Sequence, residues 1–243
     1  YFLRSDAELL VLVIWVDDIV YFATSQEMET RFAKAISERF DVKHLGAASF
    51  VLGIQARYTS AGIVLDQQKY ITEILAKLNM LKCKPAATPM VPHTTLCRYT
   101  DDADGRQPED SARAALPPEL ARVYREVVGS LIYLVSCTRP DIANAVSQLS
   151  QCVSHPLREH LNAAKHVLRY LRGTAEHGIQ YGRRSAGSDG AVLVGYADAS
   201  FGSVPNSRRS ITGYVFLLAN GAISWKTRVQ PTVALSTAEA EAE

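Results

Sequence analysis

The sequence predicts an α+β chain. Three observations carry this: short β-branched runs come in pairs towards both ends, three helical patterns follow one another between them, and a proline-bearing acidic stretch separates the first strands from those helices.

Residues 9–16 (LLVLVIWV) and 19–23 (IVYFA) read as two strands joined at Asp17-Asp18. Thr24-Ser25-Gln26-Glu27 matches a capping box, and Met28, Phe32 and Ile36 lay an apolar stripe on the helix that follows. Residues 49–57 and 62–66 read as a second strand pair. A helix over 68–81 then presents Ile71, Ile74, Leu75 and Leu78 on one side, and Pro85 and Pro89 end it. From 91 to 120 apolar residues thin out and Asp101, Asp102, Asp104, Glu109 and Asp110 cluster, the composition of a linker. Residues 123–136 form a strongly apolar helical pattern. Thr138-Arg139-Pro140-Asp141 supplies a cap, a first-turn proline and an acid for the next helix. A third helix runs over 162–172 and stops at Gly173. The last stretch reads as strands at 192–197, 212–218 and 223–228, with a helix opening at Ser236.

At 243 residues the chain has room for one or two domains. Hydrophobic residues at 47% and charged residues at 21% exclude wholesale disorder and collagen-like repeats. The net charge of +1 gives no global pull towards nucleic acid or membrane, so any basic surface must be local. The longest apolar run, 9–16, is far short of the ~20 residues a bilayer requires. The start carries neither a Met nor a signal-peptide pattern, and both ends read as cuts through structure, so the expectation is a fragment. Cys83, Cys97, Cys137 and Cys152 form no C-x-x-C pair, which fits reduced thiols in an intracellular protein.

Four constellations could carry chemistry. Asp17 and Asp18 at a hairpin tip can converge on a hard cation, because a turn breaks the alternation of strand neighbours; the same pair also suits a plain turn. Their apolar flanks predict burial at a core edge, where charge is costly without a partner. Asp198 near the end of one strand, with Glu239 and Glu241 opening the last helix, has the makings of a two-metal phosphodiester site; acids in a first turn equally answer the helix dipole. Lys165, Arg169 and Arg172 recur at i, i+4, i+7 in a segment (151–184) with six Lys/Arg against two acids. Such a stripe can track phosphates or simply face water. Cys152, His155, His160 and His166 superficially match zinc ligands, but they lack a second thiolate pair and Pro156 spreads them. No P-loop, G-x-S-x-G, H-E-x-x-H or G-x-G-x-x-G occurs.

In order, these blocks resemble the reverse transcriptase–ribonuclease H region of copia-type LTR retrotransposon polyproteins, over nearly the whole chain. Trp15-Val16-Asp17-Asp18 resembles the polymerase Y-x-D-D box, with Trp15 where the family has Tyr. His44-Leu45-Gly46 and Phe50-Val51-Leu52-Gly53-Ile54 resemble the L-G…F-L-G-I segment. Gln68-Lys69-Tyr70-Ile71 and Cys83-Lys84-Pro85 through Thr88-Pro89 resemble the Q-x-K-Y-I and C-K-P…T-P blocks. Val128-Gly129-Ser130-Leu131-Ile132-Tyr133-Leu134, Thr138-Arg139-Pro140-Asp141-Ile142 and Leu168-Arg169-Tyr170-Leu171-Arg172-Gly173-Thr174 resemble the connection region. Ala197-Asp198-Ala199, Arg208-Arg209-Ser210, Thr212-Gly213-Tyr214 and Ser236-Thr237-Ala238-Glu239-Ala240-Glu241 resemble the start of the ribonuclease H, with Ser200 and Ala242 at positions where the family often has Asp and an aromatic.

The resemblance implies a palm end and thumb over 1–90, a linker over 91–120, a helical connection over 121–185 and the first half of a ribonuclease H-like α/β fold over 186–243. It implies RNA-directed DNA synthesis and cleavage of RNA in the hybrid. Asp17 and Asp18 would be catalytic ligands of Mg2+ (or Mn2+) in the polymerase, and Asp198 and Glu241 in the nuclease, with Glu239 a neighbour. Trp15, Lys165, Arg169 and Arg172 would meet nucleic acid. The implied partners are RNA template, DNA primer, RNA–DNA hybrid, deoxynucleoside triphosphates and other parts of the parent polyprotein, in cytoplasmic particles with a nuclear phase and no membrane. Because the family's polymerase uses a further Asp and its nuclease a further carboxylate, neither present in these 243 residues, the chain alone is expected to be inactive. The rival expectation is a catalytically dead or co-opted nucleic-acid-binding remnant.

Overall fold

Apolar β-branched residues on both sides of a tight turn make the first sheet. In the computed structural model, which describes residues 1–5, 8–92, 94, 96, 115–182, 192–204 and 207–242, the chain divides into two compact units, Tyr1–Leu52 and Gly53–Glu243. The first unit holds a three-stranded antiparallel sheet, β1 (Phe2–Arg4), β2 (Leu9–Trp15) and β3 (Asp18–Ala23), in that order. Helix α1 (Gln26–Ser37) packs against β3, with the Tyr21 and Phe32 rings 4.8 Å apart. Its cap is Ser25, whose Oγ accepts the Met28 N–H, one residue later than the predicted capping box. The unit ends in the two-residue strand β4 (Phe50–Val51).

The predicted strand over 49–57 is broken at Leu52 and Gly53, both with positive φ (50° and 78°). At Gly53 the positive φ favours glycine, and a Cβ would also have to displace the Tyr133 hydroxyl.

The second unit opens with β5 (Ile54–Thr59) and β6 (Gly62–Asp66), then α2 (Gln68–Lys77). Helix α2 ends four residues earlier than predicted, and Asn79, at φ 55°, turns the chain away. Asp66 is fully buried; its carboxylate accepts the Gln68 N–H at 3.1 Å and the Arg57 Nε–H at 2.7 Å, starting the helix and pairing a charge at once.

Three longer elements follow: α3 (Pro118–Cys137), α4 (Ala143–Ser150) after a 3-10 turn at Pro140–Ile142, and α5 (Arg158–Gly173). Helix α3 begins inside the stretch expected to be linker; residues 97–114 of that stretch lie outside those described. Tyr124, Leu131, Leu134, Leu149, Val167 and Leu171 are buried at the centre of a core shared by α2 to α5. The Tyr124 hydroxyl donates to Leu149 O at 2.7 Å, and burial pushes its phenol well above the usual range.

Strand β7 (Gly178–Gly182), not predicted, returns from α5 to pair antiparallel with β6. The chain then forms an antiparallel meander, β8 (Val194–Ser200), β9 (Ile211–Leu218) and β10 (Gly221–Val229), with a bulge between Ala222 and Ser224. The Trp225 indole donates to Val135 O at 2.7 Å, fastening this sheet to the end of α3. The last helix, α6 (Thr237–Ala242), packs on β8. No helix among the described residues is long and apolar enough to cross a membrane.

Candidate active sites

Trp15 pairs with Asp18 across the β2–β3 hairpin, so the loop is Val16-Asp17, with Asp18 already in β3. Val16 holds φ at 52°, a region that β-branched residues avoid at a cost of roughly 1–3 kcal/mol. The strain sits where the backbone must present two successive carboxylates at one tip. The flanks are not the buried core edge that the sequence predicts: Trp15 is 62% exposed and Val16 82%. With a single helix, this unit covers only one face of its sheet. Asp17 and Asp18 are themselves exposed.

The second candidate pair, Asp198 and Glu241, lies on two elements of the second unit, β8 and α6, that pack on each other. Asp198 lies within β8 rather than at its end, opposite Gly213 of β9. Glu241 on α6 turns its Oε1 towards the same strand and accepts the Ala199 N–H at 3.3 Å. Glu239 does something else. Its Oε2 accepts the Leu235 N–H at 2.7 Å while its own N–H donates to Ser236 Oγ at 3.2 Å, so it closes the start of α6. A cleft of about 1090 Å³ opens beside Asp198, lined also by Tyr196 and Trp225 of the sheet and by Asp141, Asn144 and Gln148.

Exposed carboxylate pairs suit magnesium, which takes one or two carboxylates and completes its octahedron with water and substrate phosphate. Both pairs fit that donor chemistry. Among the described residues no group of three or more His, Cys, Asp or Glu is placed to hold a metal ion. In the zinc-like pattern, Cys152 Sγ lies 3.6 Å from Gln148 O, His160 Nδ1 accepts the Leu157 N–H at 3.0 Å, and His166 Nε2 lies 3.0 Å from Thr88 O.

The basic stripe of α5 is used in a way the sequence does not announce. Arg169 Nε–H donates to Lys84 O at 2.7 Å, Arg172 Nε–H donates to Leu81 O at 3.1 Å, and Ala86 N–H donates to Arg169 O at 3.2 Å. The two arginines rack the segment that follows α2 along the helix, with Arg172 exposed as Lys165 is. A lysine keeps the charge of Arg169 or Arg172 but lacks the guanidinium fork. The double variant Arg169→Lys/Arg172→Lys is therefore expected to lose about 1–2 kcal/mol in urea unfolding, and Lys165→Ala less than about 0.5.

Sequence spacing also missed a buried ionic node. Arg139, only 1% exposed, forks onto Asp141 (Nε to Oδ1 2.9 Å, Nη2 to Oδ2 2.7 Å) and donates to Thr174 O and Oγ1 at 2.9 and 2.7 Å. The Tyr170 hydroxyl donates to Asp141 Oδ2 at 2.8 Å. Burial works to raise the Asp141 carboxyl, but the Arg139 hydrogen bonds and charge, with Tyr170, outweigh it and hold the group below the usual carboxylate range.

Residues 1–92 match the family described as reverse transcriptase (RNA-dependent DNA polymerase). The retrovirus-related Pol polyprotein from transposon TNT 1-94 of Nicotiana tabacum is 38% identical over 99% of this chain and 17% of its own length. The Pol polyprotein from transposon RE1 of Arabidopsis thaliana is 36% identical over 99% of the chain and 15% of its own length. An uncharacterised mitochondrial protein of Arabidopsis thaliana is 32% identical, with 96% of this chain and 88% of that protein aligned. No solved structure matches. The chain thus has the sequence of a reverse transcriptase-type protein. It belongs to the Pol polyproteins of copia-type LTR retrotransposons, spanning less than a fifth of the two transposon polyproteins compared.

Proposed function

We propose that this chain is the segment of a retrotransposon polyprotein that joins the end of the DNA-synthesising site to the start of a hybrid-cleaving ribonuclease H. The observation that supports it is one strained tip with two carboxylates together with a glutamate of α6, Glu241, that bonds the backbone of β8 at Ala199, the residue after Asp198.

Asp17 and Asp18 would hold magnesium or manganese at the first site, and Asp198 and Glu241 at the second. When bound, such ions supply Lewis-acid activation of the attacking oxygen and neutralise phosphate charge. The residues themselves do the positioning. Val16, held at positive φ, sets both carboxylates at the hairpin tip. Trp15 offers an exposed ring on which a terminal base can stack. Lys165 faces water and can meet backbone phosphates of template, primer or hybrid, a contact that weakens as salt rises. Glu239 keeps α6 started, so that Glu241 lies beside β8.

Two carboxylates at each site hold magnesium weakly without further protein ligands. The 243-residue chain is therefore expected to show neither activity by itself. Within a parent polyprotein that copies RNA, Asp17→Asn and Asp18→Asn should each cut primer extension by at least about a hundredfold, on the several kcal/mol that metal ligation supplies. Normal extension by either variant would remove Asp17-Asp18 from the polymerase site and leave a nucleic-acid-binding remnant as the better account.

A further inference from the structure

Gln230, just past β10, is buried with no exposed surface, and its side-chain amide makes two hydrogen bonds. Nε2 donates to Thr212 Oγ1 on β9 at 2.8 Å and to Ala240 O on α6 at 2.7 Å. Its backbone N–H donates to Ser210 O at 2.9 Å, which fixes the chain from which the amide reaches. The amide Oε1 has no hydrogen-bond partner among the described residues. An amide buried with one end unsatisfied is a poor space-filler, so its retention rests on the two donated bonds.

Those bonds close a ring that runs through Glu241 and the strand residue next to Asp198. Ala240 precedes Glu241; Glu241 accepts from Ala199; Ala199 is the register partner of Thr212; and Thr212 accepts from Gln230, which returns to Ala240. Asp198 and Gly213 are the next register pair along the same two strands. We propose that Gln230 is a positioning residue for hybrid cleavage: by bridging Thr212 and Ala240 it sets where α6 sits on the sheet, and hence where Glu241 lies relative to Asp198. Helix α6 has only six residues and one buried side chain, Ala240; besides its packing on β8 and the Glu241–Ala199 bond, the Gln230 bridge ties it to the sheet.

Given Asp198 and Glu241 as the cleaving pair, on which this proposal rests, the test uses Gln230→Met, which keeps the volume and removes both donors. Hydrogen exchange on the 243-residue chain without metal should become about tenfold faster at the amides of Thr237–Ala242, with the β9–β10 amides unchanged. In a parent polyprotein that cleaves hybrid, the magnesium concentration for half-maximal cleavage should rise about tenfold. The rate at saturating magnesium should stay within about threefold, and DNA synthesis should be unaffected. Parental exchange at α6 together with a parental magnesium dependence overturns the role of Gln230. A global rise in exchange would overturn it too, as a merely structural residue would behave so. If Asp198→Asn and Glu241→Gln, run alongside, leave cleavage intact, it is the cleaving pair that fails.

Discussion

Asp198→Asn and Glu241→Gln, each made in a chain that carries the whole ribonuclease H, are expected to lower cleavage of RNA in an RNA–DNA hybrid by at least about a hundredfold. Each change removes one charged oxygen donor, and the transition-state stabilisation lost is several kcal/mol, with ~1.4 kcal/mol per tenfold. Glu239→Gln should stay within a few-fold of the parent in cleavage. The Glu239 carboxylate accepts the Leu235 N–H, so its loss acts on the start of α6, at about 1 kcal/mol. Two glutamates one residue apart thus separate into different phenotypes, read by gel cleavage and by thermal unfolding. Equal loss of cleavage at Glu239 would show that the ligand had been assigned to the wrong glutamate.

The largest stability effect is expected at Asp141. Asp141→Asn leaves the Arg139 guanidinium almost fully buried without its counter-charge, a change that costs about 3–5 kcal/mol for a wholly buried pair. Water reaches about a third of the Asp141 side chain (34% exposed), so the lower end, about 3 kcal/mol, is expected in urea unfolding. Because the folded carboxyl is held below its unfolded value, its contribution is present above about pH 4 and fades as the pH falls through the lower, folded value. The parent should lose stability across that acid range, and Asp141→Asn should show a flatter profile there. Replacing the pair together, Arg139→Met with Asp141→Leu, should recover much of the loss, since two matched apolar groups leave no stranded charge. An Asp141→Asn variant as stable as the parent would mean that Arg139 finds adequate partners in Thr174 alone.

Strands with long apolar runs and helices with a clear stripe were legible in the sequence. Strands β2 and β3, the start of α2 and the body of α5 follow from local periodicity. Strands β1 and β7 were not: β1 is only three residues long, and β7 finds its partner β6 more than a hundred residues away. Thr138-Arg139-Pro140-Asp141 reads locally as a helix start, and the 3-10 turn does begin there. The burial of Arg139 depends on Thr174, thirty-five residues on, which no local pattern reveals. The spacing of the α5 arginines shows their common face but not their backbone acceptors, Leu81 and Lys84, which lie over eighty residues upstream. At the acidic sites, residue type and order were legible. The register that makes Val16-Asp17 the turn, and the division of labour between Glu239 and Glu241, needed the folded chain.

The most direct test places both acidic pairs in one experiment. A parent polyprotein carrying this segment is assayed with magnesium for primer extension and for hybrid cleavage, beside its Asp18→Asn and Asp198→Asn variants. The predicted result is a clean exchange: Asp18→Asn loses DNA synthesis and keeps cleavage, and Asp198→Asn loses cleavage and keeps synthesis. Synthesis that survives Asp18→Asn, or cleavage that survives Asp198→Asn, would contradict the two-site account.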